Sequence, residues 1–182
     1  MQRRLFLGSM LGVAAAGTPL SRALAALANA PLAGDLPATR LGGGETVLTR
    51  AAVKDFQASL RGPVLMAGQD GYDHARKVWN GMIDRRPALI ARCSAAADVA
   101  RSVQFATAND LLVAVRSGGH STSGQSVCDG GLMIDLSDMR GVRVDPRARR
   151  AWVPAGSLLG ELDREAQFFC LATTAGNVSR TG

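Results

Sequence analysis

The sequence predicts an α+β fold in which a β-α-β unit leads into a glycine turn and a further group of strands. Apolar runs at 87–92 and 111–115 flank a helical pattern that begins near Ser94. The glycines at 118 and 119 are followed by turn residues and strands, whereas a Rossmann unit requires a helix there. Apolar residues make up 47% of the 182 residues, which is enough for a hydrophobic core.

The first half of the chain divides into a linker and two helices. Residues 26–48 are rich in Ala, Pro and Gly and predict a linker. Thr49 precedes a helix whose apolar face is formed by Ala52, Val53, Phe56 and Leu60. Ser94 is predicted to cap the second helix and Asn109 to follow its end. The predicted inner stripe of this helix comprises Ala96, Val99, Ala100, Val103 and Ala106.

The second half predicts short strands at 132–136, 142–144 and 151–153. Ser157 is predicted to cap a last helix. The side chains expected to face inward from this helix are Leu158, Leu159, Leu162, Ala166 and Phe169.

The turn at residues 114–121, AVRSGGHS, carries the strongest chemical signal. Two adjacent glycines permit positive φ and expose consecutive N–H groups, as in an anion-binding nest. Arg116 adds a positive charge and His120 a nucleophilic imidazole, a combination that indicates a tethered flavin dinucleotide. The alternative is an ordinary turn in which Arg116 is a surface charge and Ser117 and Ser121 bond their own backbone. Glycines expected to serve hairpin turns rather than ligand contacts are Gly124, Gly130 and Gly131.

Several linked motifs extend the signal beyond this turn. Their sequences are YDHAR at 72–76, VWNGMIDRRPALI at 78–90, VRSGGHS at 115–121, GGLMIDLS at 130–137 and GELD at 160–163. Over about residues 60–182 the chain resembles the berberine-bridge-enzyme-like oxidases of the vanillyl-alcohol-oxidase, or PCMH-type, flavoprotein superfamily. The resemblance implies a PCMH-type FAD-binding domain at 49–182, incomplete at its C-terminus. Its expected parts are a small β-α-β subdomain at about 50–115 and the start of a mixed-sheet subdomain at the turn.

The resemblance also implies the cofactor and its contacts. His120 corresponds to the histidine that carries the isoalloxazine through its C8α methyl. A neutral imidazole can add to the quinone-methide tautomer of the flavin. Val178 stands where some relatives have a second linking cysteine, so a single tether is expected. The implied FAD contacts are Arg116, Ser117, Gly118, Gly119, His120, Ser121, Gly176 and Gly182.

The activity implied by the resemblance is oxidation of an alcohol or sugar-like small molecule with dioxygen as acceptor. Relatives continue beyond the position of Gly182, so the catalytic residues have no counterpart to name. We therefore expect the chain to be a fragment or the product of a truncated reading frame. The alternative to an oxidase is a catalytically inactive flavin-binding fragment. A non-flavin anion-binding or adaptor domain is a third interpretation, which leaves the Trp79-Asn80-Gly81 stretch unexplained.

Residues 1–25 predict an export signal. Arg3 and Arg4 precede Leu5-Phe6-Leu7, a short apolar run and an Ala-rich cleavage region. Paired arginines favour the Tat machinery, although Gln2 and Gly8 depart from the fullest motif and leave Sec export open. The expected location is periplasmic or secreted. The apolar run is too short and glycine-broken for a stable membrane span.

Charge and composition exclude several other classes of partner. Removing residues 1–25 takes away three arginines and no acidic residue, which lowers the formal net charge from +6 to +3. The remaining basic cluster lacks interleaved aromatics and predicts a solvated hairpin, so no nucleic-acid partner is expected. The arginines of this cluster are Arg140, Arg143, Arg147, Arg149 and Arg150.

The histidines and cysteines predict neither a metal site nor a disulfide framework. His74, expected at the surface, lies far in sequence from His120, and no acidic or Cys cluster has metal-ligand spacing. Three cysteines are present, and buried free thiols are expected, with one disulfide left open after export. These are Cys93, Cys128 and Cys170.

Overall fold

The structure is a computed structural model that describes residues 34–182. The predicted export signal at 1–25 and the first part of the predicted linker lie outside the described residues. Within 34–182, no helix combines the length and the apolar character needed to cross a membrane.

A four-stranded mixed sheet forms the centre of the molecule. Its strands, in spatial order, are β3 (Val64–Leu65), β4 (Leu89–Arg92), β6 (Leu132–Asp135) and β5 (Val113–Arg116). β3 is antiparallel to β4, whereas β6 is parallel to both β4 and β5. Every residue of β6 is buried. A continuous apolar run suits this central strand because both of its faces are covered.

Helices cover both faces of this sheet. On one face lie α1 (Arg50–Ser59) and α3 (Ala96–Ala108), which meet through the stacked rings of Phe56 and Phe105 at a centroid distance of 4.1 Å. The opposite face packs against the short helix α2 (Tyr72–Ala75). The predicted cap of α1 is confirmed, since the Thr49 hydroxyl accepts from the Ala52 N–H.

Residues 36–48, expected to be linker, instead form an ordered hairpin. β1 (Leu36–Thr39) pairs antiparallel with β2 (Glu45–Leu48), and the Leu48 side chain is buried in the core. The Leu112 N–H donates to the Thr39 carbonyl at 2.9 Å, which ties the hairpin to the segment before β5. The sequence suggested a linker because the tip of the hairpin is glycine-rich and the two short strands carry few apolar residues.

A second hairpin and a helix complete the described chain. β7 (Arg143–Asp145) pairs antiparallel with β8 (Arg150–Trp152), as the solvated-hairpin prediction requires. The Arg143 guanidinium lies 4.3 Å from the centroid of the exposed Trp152 ring. α4 (Leu159–Gln167) follows.

The predicted β-α-β unit is present, but the glycine turn is not, as was expected, the boundary between this unit and a second subdomain. β6 comes after the glycine turn in sequence, yet it lies between β4 and β5 in the same sheet. The turn is therefore a connection within one sheet. β6 is the last strand of this sheet in sequence, and the β7–β8 hairpin and α4 follow it.

The predicted inner stripe of α3 is only partly correct. Ala106 is buried and Val99 packs against the core, whereas Val103 is half-exposed. Asp98 and Ser102, which the stripe omits, are buried. The Asp98 carboxylate accepts from the N–H groups of Arg61, Gly62 and Ser94, which satisfies it in the interior. These hydrogen bonds hold the pKa of Asp98 below its ordinary value despite the opposing effect of burial. Ser94 thus donates to Asp98 and does not cap the helix.

Two predictions at the end of the chain also need correction. Ser157 does not cap α4. The helix follows Leu158, whose N–H donates to the Glu161 carboxylate at 2.9 Å. Cys170 is exposed, unlike the predicted buried thiol, whereas Cys93 and Cys128 are buried and free. Burial raises the pKa of the Cys128 thiol to about 11, so this thiol stays protonated at neutral pH.

Candidate functional site

The glycine turn leaves the sheet where two parallel strands end. Arg116 ends β5 and lies opposite Asp135, which ends β6. The Leu136 N–H donates to the Arg116 carbonyl at 2.8 Å and extends the pairing past both strand ends. The crevice beyond the carboxyl ends of parallel strands is a recurrent ligand-binding position. The turn residues that the sequence singled out therefore emerge at that position.

Glycine is required at two consecutive positions of this turn, for different reasons. Gly119 has a φ of +70°, the left-handed region that glycine adopts without a Cβ penalty. Gly118 approaches the backbone of the chain's last residues. A Cβ there would lie 2.6 Å from the Gly182 nitrogen and 3.0 Å from the Arg180 carbonyl oxygen. The structure thus brings Gly182, one of the FAD contacts that the resemblance implies, against the turn.

Arg116 is held by a buried carboxylate. Its guanidinium lies 3.1 Å from Asp135 Oδ1, and Asp135 is 1% exposed. The second carboxylate oxygen lies 3.6 Å from Arg92 Nε, and the Ser137 N–H donates to the first at 3.1 Å. Asp135 therefore neutralises part of the charge that the sequence analysis assigned to a ligand. Asp135 also fixes the direction in which the Arg116 side chain extends from the end of β5.

His120 lies at the end of the turn between an indole and a hydroxyl. Its ring stacks on Trp79, with a centroid distance of 5.3 Å and an angle of 20° between the planes. The Thr181 Oγ1 atom lies 3.5 Å from His120 Nδ1. The imidazole is thus contacted on one face and at one nitrogen by residues from distant parts of the chain.

The segment from 78 to 86 supports the loop that contains the turn. The Trp79 N–H donates to the Gly119 carbonyl at 2.9 Å, and the Asn80 amide donates to the Thr122 carbonyl at 3.3 Å. Arg85 donates to two further carbonyls of the loop, each at 3.0 Å. At the level of sequence, only the family resemblance links this segment with the site. Its short-range pattern gives no sign of these contacts, which link residues about 40 positions apart.

An open cavity of about 420 Å³ lies over the turn. This volume is in the range of small-molecule sites. Its lining includes four cations, of which Arg116 pairs with Asp135 and Arg140 pairs with Glu161. The exposed side chains of the other two, Lys77 and Arg180, make no ion pair within residues 34–182. The cavity is therefore suited to an anionic ligand.

The remaining predicted contacts fall at different distances from the cavity. Ser117 and His120 line it together with Gly118. Ser121 accepts from the Gln125 N–H at 3.2 Å and so stabilises the loop. Gly176 lies against Leu159 and is not part of the lining. Gly131 lies too close to the Leu112 backbone to carry a side chain, so its role is structural. The hairpin turn expected for it is wrong, because the strands on either side of this connection, β5 and β6, are parallel.

A flavin dinucleotide fits these residues. The Ser117 hydroxyl and the Arg116 Nε are buried, and neither has a hydrogen-bond partner within the described part of the chain. Both groups belong to residues that line the cavity. Buried donors without partners are costly, and a diphosphate oxygen is an acceptor that would satisfy them. His120, at the same cavity, supplies a nucleophilic nitrogen beside this anion-binding turn.

Comparisons with known proteins agree with this geometry. The family described as "FAD binding domain" matches residues 87–180. The chain is 40% identical over 124 residues to (R)-6-hydroxynicotine oxidase of Paenarthrobacter nicotinovorans, a match that covers 68% of this chain and 27% of that protein.

Two solved structures are also similar. Physcomitrella patens BBE-like 1 has a TM-score of 0.64 and 25% identity, with 71% of this chain and 29% of that chain covered. Carbohydrate oxidase from Microdochium nivale has a TM-score of 0.65 and 26% identity, with 72% and 28% covered. The chain thus spans little more than a quarter of the length of these proteins. The sheet, the turn and these matches together show that the chain belongs to the FAD-binding family of PCMH-type, berberine-bridge-enzyme-like oxidoreductases.

Proposed function

We propose that this chain supplies the FAD-binding part of an oxidase whose flavin is linked covalently to His120. The juxtaposition of His120 with the anion-binding turn carries this proposal, because one cavity contains both a nucleophilic nitrogen and free donors for a diphosphate. By the family resemblance, Val178 stands where doubly tethered relatives have their second linking residue, which supports a single bond.

The chain's own residues divide the binding of FAD between backbone and side chains. The N–H groups of the turn and the Ser117 hydroxyl are positioned to donate to the diphosphate. Lys77 and Arg180 supply positive charge that no carboxylate of residues 34–182 neutralises. Arg116 contributes its free Nε while Asp135 holds the rest of its guanidinium.

The proposed reaction is oxidation of a small molecule with dioxygen as the final acceptor. Bound flavin supplies the hydride-accepting chemistry, and this chain supplies its position. An alcohol or sugar-like substrate is favoured by the likeness to a carbohydrate oxidase. The likeness to (R)-6-hydroxynicotine oxidase makes an amine the comparison substrate in any assay. Measuring hydrogen peroxide formation with an alcohol or sugar-like substrate and with an amine distinguishes these two substrate classes.

Acid precipitation of the purified protein tests the covalent link. We expect a yellow protein whose flavin stays with the pellet, because a carbon–nitrogen bond survives unfolding whereas backbone hydrogen bonds do not. The measurement is the flavin absorbance of the pellet and of the supernatant. Complete release of flavin into the supernatant would disprove the covalent link and leave only non-covalent binding.

We further propose that residues 1–25 direct export by the Tat machinery. Folding around a flavin before export requires a route for folded cargo, and the paired arginines are typical of that route. Replacing both Arg3 and Arg4 with lysine is expected to leave the protein in the cytoplasm with its signal uncleaved. Lysine keeps the positive charge but lacks the guanidinium groups. Cell fractionation measures the outcome, and unchanged export of the double variant would indicate the Sec route.

A further inference from the structure

Packing in the hydrophobic core does not account for the position of the Trp79 indole. It is 66% exposed, so it contributes little to the hydrophobic core. Its contact with an aromatic ring is instead to His120, on which it stacks at a centroid distance of 5.3 Å. A large exposed indole that stacks on the candidate nucleophile suggests a role at that nucleophile.

The backbone fixes Trp79 to the turn itself. Its N–H donates to the carbonyl of Gly119, the residue before His120, at 2.9 Å. The neighbouring Asn80 side chain bonds the Thr122 carbonyl at 3.3 Å, on the other side of His120. The indole and the imidazole are therefore carried by segments that are bonded to each other on both sides of the stack.

A second contact completes the restraint of the imidazole. Thr181 Oγ1 lies 3.5 Å from Nδ1, while Trp79 covers one face of the ring. A side chain restrained in this way loses less conformational freedom when it reacts. Correct orientation of the reacting atoms is a recognised source of rate acceleration.

We propose that Trp79 is a positioning residue that orients the His120 imidazole for bond formation with the flavin. The inference rests on the proposed covalent link. In that reaction an imidazole nitrogen bonds to the 8α carbon of the flavin, and one hydrogen leaves each partner. Dioxygen takes up the two electrons and two protons and becomes hydrogen peroxide. Trp79 takes no part in these transfers and acts only through the imidazole.

The test follows covalent attachment after FAD is added to flavin-free full chain. Trp79→Ala is expected to slow the appearance of acid-stable flavin about 2- to 10-fold, the range that the energy of an aromatic pair allows. Trp79→Phe keeps a stacking ring and is expected to restore most of the rate. Trp152→Ala, which alters the other exposed tryptophan on β8, is expected to have no effect.

Trp79 also lines the cavity, so positioning of His120 has to be distinguished from direct contact with FAD. A variant that cannot form the covalent link makes this distinction. In His120→Ala protein, adding Trp79→Ala is expected to leave the dissociation constant of FAD within about twofold, because the residue through which Trp79 acts is absent. A larger loss would show that Trp79 binds FAD itself and would overturn the proposal.

The remaining outcomes are also distinct. An unchanged attachment rate in Trp79→Ala would overturn this inference while leaving the covalent link in place. Absence of acid-stable flavin in the wild type would reject the covalent link and this inference with it. In flavin-free protein, the nuclear magnetic resonance signals of His120 ring hydrogens are expected to move when Trp79 is replaced by alanine. Unmoved signals would show that the stack does not form and would also overturn the proposal.

Discussion

Replacing His120 with alanine is expected to remove all acid-stable flavin while leaving non-covalent binding of FAD. The substitution deletes the only nitrogen nucleophile that we assign to the link. The backbone of Gly118 and Gly119 and the cations Lys77 and Arg180 remain in place. Acid precipitation measures the covalent fraction, and fluorescence titration with FAD measures the residual binding.

His74→Ala is the matched control for this variant. His74 is the only other histidine of the chain and is exposed on the short helix α2. We expect it to retain the full acid-stable flavin content. Acid-stable flavin in His120→Ala at the wild-type level would show that another residue forms the bond. Residual covalent flavin at a lower level would contradict the single tether.

Replacing Asp135 with asparagine is expected to lower the free energy of unfolding by about 3 kcal/mol, the low end of the range for breaking a buried pair. The lower end applies because Arg92 is one-third exposed and water screens part of its charge. The neutral amide would leave Arg92 and Arg116 facing the same site without the countercharge of the buried carboxylate. Denaturant unfolding followed by circular dichroism measures the change.

Asp138→Asn provides the control for Asp135→Asn. Asp138 also pairs with Arg92, at 2.8 Å, but its side chain is 48% exposed. Exposed pairs contribute up to about 1 kcal/mol, so this variant is expected to remain near the wild-type stability. Equal stability of the two variants would contradict the structural importance of the buried carboxylate.

The sequence predicted those parts of the site that depend on neighbouring residues. Adjacent glycines, an arginine at a strand end and a histidine within five positions specify a local turn, and the structure places them as one unit. The approach of Gly182 to Gly118 was not predicted, although the resemblance implied that Gly182 contacts the cofactor. The contact of Trp79 with the turn was not predicted, because its hydrogen bond to Gly119 spans 40 residues of sequence.

The misplaced elements share a physical cause, which is dependence on distant partners. β6 lies between β4 and β5 in the sheet, and local periodicity in the sequence does not specify this strand order. The predicted inner stripe of α3 omits Asp98 because carboxylates usually face solvent. Asp98 is buried because the loop at Arg61 and Gly62 presents N–H donors to it. The sequence pattern presents Arg116 as a free charge because its partner Asp135 lies on another strand.

Mass spectrometry of the protease-digested wild-type protein tests the central claim most directly. We expect the peptide containing His120 to carry the mass of FAD less two hydrogens, and fragmentation to assign this addition to the His120 side chain. The same digest is expected to show the peptide containing Val178 without a flavin addition. An unmodified His120 peptide from yellow protein, or a flavin addition located on any other residue, would contradict the account.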